Sequence, residues 1–168
     1  MQRADAFDTS VGADRYFERC RLKTAVLFRA ACEVGSLESG GPSCELAAFG
    51  EKIGLAFQLL DDVLDVTGPA ERTGKPRGAD LLDGTVTLPL ILAREEDQRL
   101  AALDLRALRG PGDAVTVCER IATTGALEEA RDRALELVTS AKAALPRLPG
   151  RQRTALELVA DGVVERYS

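Results

Sequence analysis

Apolar residues recur every three or four positions along most of this chain, and alternating β-branched runs are missing. That period predicts a helix from Ala13 to Val34, ended by Gly35. A second runs from Ser43, a plausible N-cap with Glu45 in the first turn, to Val66. "TGPAERTGKPRGADLLDG" follows, a loop by its glycine, proline and charge. Further helices are expected at Thr87–Glu96, with Thr87 as cap and Pro89 tolerated in the first turn. Asp97–Leu108 reads as a weaker helical segment, followed by helices at Asp113–Thr124, Leu127–Leu145 and Arg151–Arg166. The chain therefore reads as a single all-α domain, 1–168, built as a helical bundle.

The helix ending at Val66 is apolar on every face, with Leu46, Phe49, Ile53, Leu55, Phe57, Leu59, Leu60, Val63 and Leu64. Such a helix belongs in the middle of a bundle. Yet it also carries Asp61, Asp62 and Asp65. With Gln58 they fall at i, i+3, i+4 and i+7, one stripe of the helix, and no cation stands among them. Like charges at that spacing repel, and burial raises the cost of each to several kcal/mol. Basic neighbours, protonation or a divalent metal could compensate. A solvated acidic face fits poorly on so apolar a helix. Carboxylates one turn apart suit Mg²⁺, which takes one or two of them and shares its remaining positions with water and substrate phosphates. Asp61 and Asp65 are read as the magnesium contacts, with Asp62 close by.

Composition narrows the chemistry. A net charge of −5, 4 % aromatics and no tryptophan argue against a nucleic-acid surface. Histidine is absent, which removes the usual general base and the Ser-His and Cys-His arrangements. The four cysteines form no C-x-x-C pair and there is no secretory signal, so free thiols in a reducing cytoplasm are expected. No run is apolar enough to span a membrane. The loop after the acidic helix offers Arg72, Lys75 and Arg77 as phosphate cations. Its "GK" is not a P-loop, because G-x-x-x-x-G-K-[ST] and a preceding strand are both missing.

"GLAFQLLDDVLDVTG" followed by "TGKPRGADLLDGTVTLPLILA" resembles the second aspartate-rich region of the trans-isoprenyl diphosphate synthases, the polyprenyl synthetase family. There the pattern is F-Q-x-x-D-D-x-x-D, then G-K-x-x-G-x-D. "YFERCRLKTAVLFRAACEVGS" is similar to the family's Y-x-x-x-x-x-x-K-T-A helix, and "ADGVVERYS" to its closing helix. The resemblance implies an isoprenoid-synthase-like bundle and a prenyltransferase. Its reaction is Mg²⁺-dependent condensation of an allylic diphosphate with isopentenyl diphosphate, in isoprenoid biosynthesis. Asp61 would bind the third magnesium, with Asp62 and Asp65 in or next to its coordination sphere. Lys23 and Lys75 would hold the allylic diphosphate, and Thr24 and Gln58 would sit beside the departing group. Metal and lysines neutralise the leaving diphosphate, the C–O bond breaks toward an allylic cation, the alkene attacks, and a proton is lost. No histidine is needed for this.

Two departures stand out. Thr85 occupies the position of a usual second lysine. Residues 1–56 carry neither D-D-x-x-D nor G-G-K-R, so the chain is expected to be the C-terminal half of such an enzyme, lacking the N-terminal helices. Alone it is then expected to be weakly active or inactive, with an apolar face left open for a partner. A homodimer, or a heteromer with a synthase subunit, is the expected assembly. The alternative is a non-catalytic small subunit that binds and regulates a full-length synthase. A class I terpene cyclase is weaker, since no N-S-E or D-T-E motif follows Asp83.

Overall fold

The computed structural model describes residues 5–68, 74, 76–165 and 167. Helices dominate and no strand occurs among the described residues, so the all-α expectation holds. By their contacts the residues form two compact units. One comprises the chain up to Arg19 with Asp61–Arg131, and the other comprises Cys20–Leu60 with Asp132 to the end.

Within the first unit lie most of α1 (Ala13–Cys20) and the last two turns of α3 (Ser43–Thr67). The short α4 (Ala79–Leu82), α5 (Leu88–Glu96), α6 (Gln98–Ala101) and α7 (Pro111–Ile121) follow, then the start of α8 (Ala126–Ala143). Leu88 to Ala93 are all buried, so the first six residues of α5 serve as core. Pro89 sits in its first turn as expected. Thr87 holds the N-cap position with extended backbone, but its side chain makes no capping bond. The weak helix expected over Asp97–Leu108 is broken into α6 and a 3₁₀ turn at Leu105–Ala107. The physical cause is a pair of aspartates. Asp97 accepts from the backbone N–H of Arg99 and Leu100, and Asp104 from that of Arg106, so each side chain starts a new turn. Asp97 also pairs with Arg120 of α7 at 2.6 Å.

A π-helical segment, Arg21–Ala25, opens the second unit and leads into α2 (Val26–Ser39). The helix passes through Gly35, where the sequence pattern places its end, and stops at Gly40 (φ 68°). A helical glycine costs only about 1 kcal/mol relative to alanine. Closing the helix takes a left-handed residue whose amide, with that of Gly41, turns back onto the Leu37 and Ser36 carbonyls. α2 lies very close to α3. A Cβ on Gly50 would come within 2.5 Å of the Phe28 carbonyl oxygen, and one on Gly54 within 2.6 Å of Ala25 Cα. The rest of α8 and α9 (Gly150–Glu165) complete this unit, joined by a Lys142–Asp161 ion pair of 2.7 Å. Leu22, Leu27, Val34 and Leu37 are each more than half exposed, so an open apolar face is present on the K-T-A helix. No helix of the described residues is long and apolar enough to cross a membrane.

Candidate functional site

The three aspartates of α3 have different surroundings. Asp62 and Asp65 are each only 3 % exposed, whereas Asp61 is half-buried. The stripe is therefore not a solvated acidic face.

Asp62 faces Tyr16 of α1. The phenol, fully buried, donates to Asp62 Oδ2 at 2.6 Å. Behind it the Arg19 guanidinium lies 5.6 Å from the ring centroid and donates to the Val86 carbonyl. Asp65 holds the segment that follows α3. Its Oδ2 accepts from the backbone N–H of Asp80 at 3.2 Å, and its main-chain carbonyl accepts from Gly78 N at 2.9 Å. Arg77 Nε donates to the Val66 carbonyl, so this cation is turned back onto the helix end. Gly78 must be glycine here. Its φ is 75°, and a Cβ would lie 2.9 Å from Cys118 Sγ. Burial pushes the Cys118 thiol up to about 11, against a smaller opposing pull from Arg77. Asp61 makes no hydrogen bond or ion pair among the described residues.

Lys23, Thr24 and Gln58 belong to the second unit. Lys23 and Thr24 fall inside the π segment, whose wider turn shifts the register of every later residue on the helix. Thr24 Oγ1 donates to Gln58 Oε1 at 2.6 Å, and Lys23 is exposed. Gly54, one turn before Gln58, permits the close approach that this hydrogen bond needs. Lys75 and Arg72 lie outside the described residues. Thr85, in the place of the usual lysine, is half-buried and donates its backbone N–H to the Asp80 carbonyl at 2.8 Å.

Among the described residues, no group of three or more Cys, Asp or Glu side chains is disposed to hold a metal ion by itself. A metal at α3 would thus rest on one or two carboxylates and complete its shell elsewhere. Carboxylate oxygens of this kind suit a hard divalent cation. Asp61 fits it, being partly accessible and unengaged among the described residues. Tyr16 is the group that the sequence pattern left without a role, and its place seven residues before Lys23 in the K-T-A helix is the signal that points to it.

Residues 1–120 match the family profile described as Polyprenyl synthetase. The chain belongs to the polyprenyl synthetase family. Among curated relatives of this chain, component 2 of heptaprenyl diphosphate synthase from Geobacillus stearothermophilus is 41 % identical over 120 residues. That match covers 67 % of this chain and 37 % of the relative. The short chain isoprenyl diphosphate synthase of Methanothermobacter thermautotrophicus is 39 % identical over 163 residues, 93 % of this chain and 50 % of its own. A solved polyprenyl synthase from Caulobacter crescentus, complexed with calcium and isoprenyl diphosphate, superposes with a TM-score of 0.89 at 36 % identity. The superposition covers 99 % of this chain and 54 % of the other. The chain thus spans about half the length, or less, of these curated relatives. The family resemblance and the isoprenoid-synthase bundle read from the K-T-A and F-Q-x-x-D-D-x-x-D segments both hold.

Proposed function

We propose that this chain carries part of the site of a Mg²⁺-dependent isoprenyl diphosphate synthase, which condenses an allylic diphosphate with isopentenyl diphosphate. The observation that carries the reading is the contrast on α3. Asp62 and Asp65 are buried and hydrogen-bonded to the protein, while Asp61 is partly accessible and unengaged among the described residues. Asp61 would hold the magnesium, with Asp62 and Asp65 fixing the helix surface around it. Magnesium, when bound, supplies positive charge to a leaving diphosphate. Lys23, exposed on the π segment, and Lys75 would hold the same diphosphate as point charges. Thr24 and Gln58, bonded to each other, would line the place where the allylic carbon loses its leaving group. The calcium and isoprenyl diphosphate bound to the Caulobacter enzyme support a divalent metal and that substrate class. Four free cysteines are consistent with a cytoplasmic setting. By themselves these 168 residues are expected to turn over slowly or not at all, because no D-D-x-x-D or G-G-K-R occurs in residues 1–56.

Isothermal titration of the chain with inorganic pyrophosphate, with and without Mg²⁺, tests the reading. Wild-type protein should bind pyrophosphate only with the metal. Asp61→Asn should bind at least about tenfold more weakly with an unchanged unfolding midpoint, a loss of ~1.4 kcal/mol or more. Unchanged binding by Asp61→Asn would falsify the assignment.

A second reading has its own support, the exposed Leu22, Leu27, Val34 and Leu37 and a relative named as a synthase component. On this reading the chain is a non-catalytic subunit that packs on a full-length synthase, as a heteromer. Titration against such a synthase separates the two readings. A regulator changes the product profile whether or not Asp61 is intact, whereas a catalytic piece requires Asp61.

A further inference from the structure

We propose that Tyr16 is a positioning residue for the magnesium–diphosphate site, acting through Asp62. The inference rests on the function proposed above and goes beyond it, because it concerns a side chain that neither touches substrate nor ligates metal.

Asp61 and Asp62 are adjacent in sequence, and Asp65 follows one turn later. Three carboxylates so close would each be driven toward whatever relieves the repulsion, and a side chain free to rotate would have no single direction. Tyr16 removes that freedom from one of them. Its hydroxyl lies 2.6 Å from Asp62 Oδ2, a charge-assisted bond at the short end of the usual range. The phenol is itself held firmly. It is fully buried, meets the edge of Phe17 at 5.4 Å between centroids, and has Arg19 against its face. Arg19, also buried, is tied to the Val86 carbonyl. The hydrogen bond thus runs from a rigid donor to a carboxylate one residue from the proposed ligand. It bridges 46 positions of sequence and ties the last two turns of α3 to α1. With Asp62 engaged, the neighbouring Asp61 is left to meet the metal.

A merely structural tyrosine would make the same contact and affect only stability, so the test must read something else. Tyr16→Phe keeps the ring, with its Phe17 and Arg19 contacts, and deletes only the hydroxyl. Mg²⁺-dependent binding of inorganic pyrophosphate is measured for wild type, Tyr16→Phe, Asp62→Asn and the double variant, with unfolding midpoints recorded without metal. The proposal expects each single variant to weaken binding about tenfold, and the double variant to be no weaker than the worse single one. Wild-type-like binding by Tyr16→Phe overturns it, and so do single effects that multiply. If Asp61→Asn abolishes binding while Tyr16→Phe leaves it unchanged, this inference fails and the proposed function stands. If wild-type protein shows no Mg²⁺-dependent binding, both fail. A second measurement does not depend on a variant folding. With 3-fluorotyrosine at the chain's two tyrosines, the ¹⁹F signal of Tyr16 should move when Mg²⁺ and pyrophosphate are added together, and stay in place in Asp61→Asn. A Tyr16 signal that does not respond in wild-type protein overturns the proposal as well.

Discussion

Replacing Gly54 by alanine separates two effects of opposite sign. Alanine is the better helix former, by about 1 kcal/mol in a helix interior. If propensity decided the outcome, Gly54→Ala would stabilise α3. The structure argues otherwise. A Cβ at this position would sit 2.6 Å from Ala25 Cα and 3.1 Å from both Cβ and Cδ2 of Phe28. Carbon atoms in good contact lie about 3.5–4.0 Å apart, so the π segment and α2 must retreat from α3 by roughly 1 Å. The obstructing atom is backbone, which cannot swing aside. Overpacking of this kind costs typically about 1–3 kcal/mol. Retreat also stretches the Thr24–Gln58 hydrogen bond of 2.6 Å, whose net contribution is about 0.5–1.5 kcal/mol. Subtracting the propensity gain leaves a net destabilisation of about 0.5–3.5 kcal/mol, which in a chain of this size lowers the midpoint by about 1–10 °C. Gly35 is the internal control. It lies in α2 with nothing within 4 Å of a built Cβ, so Gly35→Ala should show the propensity term alone and raise the midpoint. Thermal unfolding by circular dichroism measures both variants. A midpoint for Gly54→Ala that rises alongside that of Gly35→Ala would refute the close-approach argument.

Two other outcomes are expected. The hydrogen bond from Arg120, with smaller help from the backbone amides of Leu100 and Arg99, holds the Asp97 carboxyl down at about 2 against an ordinary 3.8. A depressed carboxylate contributes stability that is complete above its ordinary value and is lost as pH falls through the folded-state value. The difference in unfolding midpoint between wild type and Asp97→Asn should therefore be constant above about pH 5, shrink as pH falls through about 2 and be gone by about pH 1. A difference that does not shrink between about pH 5 and pH 1 would assign the effect of Asp97 to shape rather than charge. Thiol labelling with N-ethylmaleimide near pH 8, read by mass spectrometry, should modify exposed Cys44 first, with buried Cys118 reacting only after denaturation, since burial pushes its thiol up to about 11. Labelling of Cys118 at the rate of Cys44 in folded protein would show that the Gly78–Cys118 contact opens.

Helix positions were legible in the sequence because they depend on local periodicity and turn chemistry. α3 and α5 begin and end within a residue or so of where apolar spacing and breakers place them. The errors also have local causes with a tertiary component. Gly35 is tolerated inside α2, whose end is set by Gly40 in a left-handed conformation. The helix expected across Asp97–Leu108 yields to two aspartates that cap the backbone instead of riding on it. The π segment has no signature in the spacing of apolar residues, yet it carries the Lys23-Thr24-Ala25 run.

The acidic stripe marks where sequence reasoning stops, and why. Periodicity puts Asp61, Asp62 and Asp65 on one stripe with Gln58, and the one-turn spacing singles out Asp61 and Asp65 as metal contacts with Asp62 close by. What distinguishes them is the partner each one finds. Asp62 is taken up by a phenol 46 residues away, and Asp65 by a backbone amide 15 residues away. Neither partner is encoded near the motif, and one of them is a main-chain group that no side-chain pattern can announce. The physical rule is general. A buried carboxylate oxygen needs a partner, and a partner supplied by the fold makes that oxygen less available to a ligand. In a motif of repeated acids, the residue left unengaged among the described residues is therefore the one to mutate first, and on α3 that residue is Asp61.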